Sequence, residues 1–169
     1  MERAEGLGMS DWIESGSNAP DFELPDGEGH TVTLSQFRGK PVVLYFYPKD
    51  DTPGCTKQAC AFRDRKADFQ SRGAVVLGVS PDDMASHTDF SKKFELNFPL
   101  LADHDHKVAE QYGAWREKKQ YGKAYMGLQR STFLIGPDGV VAKTWKSVKV
   151  EAHDEAVLKA LDKLLASKA

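Results

Sequence analysis

The chain has 169 residues, a net charge of -2, 40% hydrophobic and 28% charged residues, the make-up of one globular domain able to bury roughly two thirds of its unfolded surface. That charge excludes the basic footprint of a nucleic-acid binder or of a protein held on an acidic membrane surface. No apolar run approaches the roughly 20 residues that span a bilayer, and residues 1–18 carry neither the basic start nor the apolar centre of a secretory signal, so a reducing, cytoplasmic location is the expectation.

Residues 1–17 read as a flexible lead-in, with Met9 a candidate natural start, and residues 18–169 as a single domain. Asp21-Phe22-Glu23-Leu24, the turn Asp26-Gly27-Glu28-Gly29 and Thr31-Val32-Thr33-Leu34 predict a short hairpin. Ser35 is placed to cap a helical turn ending at Gly39. Residues 41–47, Pro-Val-Val-Leu-Tyr-Phe-Tyr, form an unbroken β-branched and aromatic run, the signature of a strand buried on both faces. From Pro53 the pattern turns helical, with Cys55, Ala59, Phe62, Ala67 and Phe69 at spacings near three and four until Gly73.

Residues 74–80 predict a second buried strand, 84–94 an amphipathic helix, 98–101 a third short strand and 107–112 a helix ended by Gly113. The polar and aromatic stretch 114–130 reads as a long connection, in which Trp115, Tyr121, Tyr125 and Met126 are candidates to border an active site, with packing the simpler reading. Ser131–Ile135, the turn Gly136-Pro137-Asp138-Gly139 and residues 140–145 predict a second hairpin, and 152–167 a last helix with Ala156, Leu158, Leu161, Leu164 and Leu165 on one face. Strands alternating with helices, then a hairpin and a final helix, predict an α/β domain: a central mixed sheet with helices on both faces and an N-terminal β-hairpin.

The chemistry concentrates where the first buried strand meets the first helix. Both cysteines, Cys55 and Cys60, lie there, and in a reducing compartment such a pair points to redox, catalytic or metal chemistry rather than a permanent staple. Thr52 suits an N-cap and Pro53 the first helical position. Cys55 then falls in the first turn, where unpaired amides and the positive end of the helix dipole favour an anionic thiolate. Gly54 removes a side chain beside the sulfur and lets a small substrate approach. A buried, inert cysteine is the bland alternative.

On a regular helix the Cα atoms of Cys55 and Cys60 stand about 8.7 Å apart, beyond the limit of about 7 Å for a disulfide. The two sulfurs can therefore bond only if the first turns of the helix unwind. The spacing also differs from Cys-x-x-Cys redox motifs and from common zinc pairs. The alternative, Cys60 as a small core residue one turn along, stands beside this reading.

Pro48-x-x-x-Thr52-x-x-Cys55 resembles the active-site signature of the peroxiredoxins. Thr52-Pro53-Gly54-Cys55-Thr56, Gln58-Ala59-Cys60 and Phe62-Arg63-Asp64 are similar to the bacterioferritin comigratory protein (PrxQ) branch, as are Tyr112-Gly113, Tyr121-Gly122-Lys123 and Arg130-Ser131-Thr132-Phe133-Leu134-Ile135. The resemblance implies a thioredoxin-like fold and a thiol peroxidase acting on hydrogen peroxide or organic hydroperoxides. Cys55 would be oxidised to a sulfenic acid. Pro48 would shield the sulfur, the Thr52 hydroxyl and Arg130 would hold substrate and thiolate, and the Gly54 and Cys55 amides would face the peroxide. Cys60 would resolve the sulfenic acid as an intramolecular disulfide, reduced by thioredoxin or a similar dithiol. No cofactor or metal is implied, and a monomer is the expectation. The chain departs from many relatives in having Gln58 in place of Glu, and Ala152-His153-Asp154 where Gly-His-Ala is common.

Other readings of the residues stay open at this point. A general thiol–disulfide oxidoreductase or a redox-responsive binding module would also use two cysteines. Asp103-His104-Asp105-His106 has alternating metal-type ligands, although a solvated loop is the simpler reading. His87 and His153 stand alone on predicted helices and call for no special role.

Overall fold

The computed structural model describes residues 11–167, so the proposed start at Met9 lies outside the described residues. Nine strands and five α-helices follow one another: β1 (Glu23–Pro25), β2 (Thr31–Thr33), a 3-10 turn (Leu34–Phe37), β3 (Val42–Phe46), α1 (Pro53–Asp64), α2 (Lys66–Ser71), β4 (Val75–Ser80), α3 (Met84–Phe94), β5 (Leu100–Ala102), α4 (Lys107–Tyr112), β6 (Trp115–Gln120), β7 (Lys123–Leu128), β8 (Ser131–Ile135), β9 (Val141–Trp145) and α5 (His153–Ser167).

The central sheet has the order β5-β4-β3-β8-β9. β3 pairs parallel with β4, and β4 with β5, whereas β8 runs antiparallel to β3 and β9 antiparallel to β8. The unbroken apolar run of β3 follows from its central place: Val42, Leu44 and Phe46 enter one core, and Val43, Tyr45 and Tyr47 the other. Each such aliphatic or aromatic side chain taken out of water contributes on the order of 1.5–3 kcal/mol. The first core also holds Leu24 and Val32 of the β1–β2 hairpin and Val108 of α4. The second holds Cys55, Ala59 and Phe62 of α1, Phe90 of α3 and Val157 and Leu161 of α5. Helices thus cover both faces, and the expected mixed-sheet fold is the one observed.

Several local expectations change. The helix after Pro53 is two helices, broken at Arg65, whose backbone leaves helical geometry (φ -99, ψ 12). The Arg65 guanidinium is drawn across to α5, donating to Asp154 at 3.0 Å and Glu155 at 3.2 Å. The turn after β2 is opened by Thr33, not Ser35, with the Gln36 side-chain Oε1 accepting from the Thr33 amide at 2.8 Å.

Residues 114–130 are not a connection but a hairpin, β6–β7, with a full ladder from Trp115↔Leu128 to Gln120↔Lys123. Its tip, Tyr121 (φ 53) and Gly122 (φ 76), has the left-handed pair of a type I′ turn. Tyr121 is 94% exposed and Tyr125 47%, so these two do not pack. Trp115 does, against the first core and stacked on His106 at 3.8 Å. In the stretch read as a lead-in, Trp12 and Ile13 lie against the first core, and the Gly16 amide bonds to the Val141 carbonyl at 2.8 Å.

Candidate active site

β3 ends at the sheet's centre, and the chain leaves it through the 48–52 loop into α1. Pro53 occupies the first helical position after an extended Thr52 (φ -102, ψ 155), whose carbonyl accepts the Thr56 amide at 2.8 Å. Thr52 thus holds the cap position, yet its hydroxyl donates to the Lys49 carbonyl at 2.8 Å and makes no capping bond. Pro53 has no amide hydrogen to offer. The amides of Gly54 and Cys55 therefore open the helix without a side-chain cap, leaving donors for an anion.

Cys55 is 1% exposed and sits in the second core beside Tyr45 and Ala59. Arg130, immediately before β8, reaches it across the sheet: Nη2 donates to Cys55 Sγ at 3.1 Å, and Nη1 donates to Gln58 Oε1 at 2.6 Å. The planar fork of the guanidinium serves two acceptors at once. The sulfur thus has a permanent cation in contact with it. A Cβ on residue 54 would stand 3.2 Å from Arg130 Nη2, so Gly54 makes room first for the arginine.

Arg130 also acts on its surroundings. Burial, with a contribution from Arg130, pushes His153 down to about 4 against the opposing pull of Asp154, so the ring is neutral at pH 7. Burial and then Arg130 lower Lys118. Burial, followed by the charges of Cys55 and Asp50, pushes the Tyr45 phenol well above its usual range.

Of the residues expected at the site, the fold brings Gly54, Cys55 and Arg130 together. Thr52 lies at the helix start with its hydroxyl hydrogen committed to the loop, and Pro48 is exposed at the loop's entrance. Cys60 is half-buried on the same continuous helix as Cys55, and both thiols are free.

Gln58, noted in the sequence only as a departure, is the second partner of Arg130; its three-residue spacing from Cys55 puts both on one helix face. Gln58 Nε2 and the Tyr45 hydroxyl are the buried side-chain polar atoms without a hydrogen-bond partner among the described residues.

The histidines and acidic residues set aside in the sequence are also resolved. Asp103 is buried rather than solvated, and its carboxylate accepts the amides of Val108 at 3.2 Å and Ala109 at 2.9 Å. His106 pairs with Glu110 at 2.7 Å. Residues 103 and 106 thus serve separate local partners. His153 bonds the Thr132 hydroxyl at 2.9 Å, and His87 is fully buried against Asp50 at 2.7 Å.

Comparison with known proteins agrees with this geometry. The model of the AhpC/TSA family matches residues 15–144. Peroxiredoxin Bcp of Bacillus subtilis is 51% identical over 149 residues, covering 88% of this chain and 95% of that protein. Peroxiredoxin Bcp of Escherichia coli K12 is 44% identical over 86% of this chain and 94% of its own length. Among solved structures, Xanthomonas campestris peroxiredoxin Q superposes with a TM-score of 0.82 at 42% identity, over 84% of this chain and 90% of that one. No helix among the described residues is long and apolar enough to cross a membrane. The chain belongs to the AhpC/TSA family, with the Bcp/PrxQ peroxiredoxins as its relatives, and is a thiol peroxidase.

Proposed function

We propose that Cys55 reduces hydrogen peroxide and alkyl hydroperoxides, that Cys60 resolves the product, and that thioredoxin or a similar dithiol restores both thiols. The contact of Arg130 Nη2 with Cys55 Sγ at 3.1 Å, at a helix start left uncapped, carries this reading. The thiolate attacks the distal oxygen, the O–O bond breaks, and the departing alkoxide or hydroxide takes up a proton. Charge grows on that leaving oxygen, where fixed donors lower the barrier; the Arg130 guanidinium and the first-turn amides are such donors. The Xanthomonas campestris bacterioferritin comigratory protein has alkyl peroxide reduction activity, which supports including alkyl hydroperoxides.

Resolution requires α1 to open. Cys60 Sγ must attack the Cys55 sulfenic sulfur, releasing water and forming the S–S bond, yet both residues sit on one helix at a separation of about 8.7 Å. A dithiol then attacks the disulfide and is itself oxidised. A monomer in a reducing compartment suits this cycle, because both cysteines belong to one chain.

Stopped-flow reaction of the reduced protein with one equivalent of hydrogen peroxide, followed by tryptophan fluorescence and thiol counting, tests the assignment. The parent protein should lose both thiols rapidly. Cys55→Ser should lose none; reaction at the parent rate would refute the central assignment. Cys60→Ser should still consume peroxide and stop at the sulfenic acid. Hydrogen exchange over residues 53–62 should accelerate on oxidation, and unchanged protection would sink the unwinding step.

A further inference from the structure

The 48–52 loop carries Thr52 to the start of α1, and most of it faces solvent. Pro48, Lys49 and Asp51 are exposed, and Asp51 adopts a left-handed backbone (φ 57). Asp50 alone in the loop is buried, at 7% exposure, and groups from the end of β3, the segment before α3 and α3 itself converge on it. The Tyr47 hydroxyl, at the end of β3, donates to Asp50 Oδ1 at 2.5 Å, and the Ser86 hydroxyl of α3 donates to Oδ2 at 2.7 Å. The Asp50 amide donates to Asp82 Oδ2 at 2.7 Å. His87 of α3, with no exposure, sets Nδ1 at 2.7 Å from Asp50 Oδ2 and Nε2 at 2.9 Å from the Leu101 carbonyl of β5.

A carbonyl only accepts, so His87 Nε2 carries a hydrogen and donates to Leu101. Asp50 accepts from the Tyr47 and Ser86 hydroxyls and shares a hydrogen bond with His87 Nδ1. The loop is therefore pinned by a buried hydrogen-bonded pair with every bond made.

We propose that His87 and Asp50 are positioning residues for the peroxide reaction: the pair holds the 48–52 loop in one conformation and thereby sets Cys55 against Arg130. A buried pair of this kind adds little net stability over an apolar pair; its several directional bonds select a single loop geometry instead. Neither residue needs to touch peroxide. The assignment rests on Cys55 being the reacting sulfur, as proposed above.

Variants His87→Gln and Asp50→Asn are compared with the parent at a temperature where all are folded, using peroxide stopped flow and the pH profile of Cys55 alkylation in a Cys60→Ser background. Val141→Ala, at a buried β9 position of the other core, serves as a stability control. Each positioning variant should slow the peroxide reaction about tenfold or more, the scale of a misplaced reacting group, and move the alkylation midpoint to higher pH. Their double mutant should be little slower than the worse single. Val141→Ala should lower the melting temperature and change neither readout.

Parent-like rate and midpoint in both positioning variants would overturn the proposal and leave the pair a fold support. If His87→Gln does not fold, Asp50→Asn decides by the same criteria. If neither folds, Ser86→Ala decides, since it removes one bond to Asp50 and keeps the pair. Full reactivity of Cys55→Ser would instead refute the reading of Cys55, a separate result.

Discussion

Asp83, which precedes α3, is extended (φ -84, ψ 175), and its carboxylate accepts the Ser86 amide at 2.8 Å. Thr52, which precedes α1, is extended as well (φ -102, ψ 155), but its hydroxyl turns back to the Lys49 carbonyl. The start of α4 resembles α3 in effect, because buried Asp103 takes the Val108 and Ala109 amides. Two helices spend their first donors on their own acidic side chains. α1 leaves its first amides without a side-chain cap, and its cysteine sulfur meets a guanidinium from the residue before β8. Under the proposed function, the difference separates a start closed for stability from one left open for an anion.

The comparison breaks most severely at Arg130. Arg130→Ala should lower the rate constant for peroxide by about 10²–10³-fold, the usual cost of losing one donor to developing charge, as read by single-turnover stopped flow. Arg130→Lys should recover only part, since an ammonium cannot hold Gln58 and Cys55 in one plane.

A sharper test gives α1 the cap it lacks. Thr52→Asp supplies a carboxylate to the first-turn amides, so thermal unfolding should occur no lower than in the parent. The same charge faces the Cys55 thiolate, and the peroxide rate should fall by roughly tenfold or more, given ~3 kcal/mol between unit charges about 5 Å apart at an effective dielectric near 20. A parent-like rate would mean that these amides take no part.

The smallest effect is expected at the closed start. Asp103→Ala should cost about 1–2 kcal/mol in denaturant unfolding, as for other caps, with no change in the peroxide rate. A rate loss there would show that α4 also shapes the site.

Much of this was legible from sequence. The β3 run and most periodic segments gave correct elements, the break at Arg65 apart, because burial on two faces, or on one helix face, writes itself into residue order. The β6–β7 hairpin was hidden because Arg116, Glu117, Lys118 and Lys119 lack apolar alternation, and its turn uses Tyr121-Gly122 in place of the commoner Asn-Gly. His87 looked isolated because its partners, Asp50 and Leu101, lie 37 and 14 positions away. Arg130 entered by resemblance alone: its contact with Cys55 spans 75 positions.

Residue order by itself determined that Cys55 opens a helix after a buried strand, and that Cys60 lies too far along that helix to bond without unwinding it. Those are consequences of local backbone geometry, which propensity and periodicity encode. Only the tertiary structure decided which donors meet the sulfur, which way the Thr52 hydroxyl turns, and that Asp50 is buried against His87. Such choices depend on groups from separate strands and helices competing for the same acceptors, and that competition exists only once the sheet order β5-β4-β3-β8-β9 has brought them together.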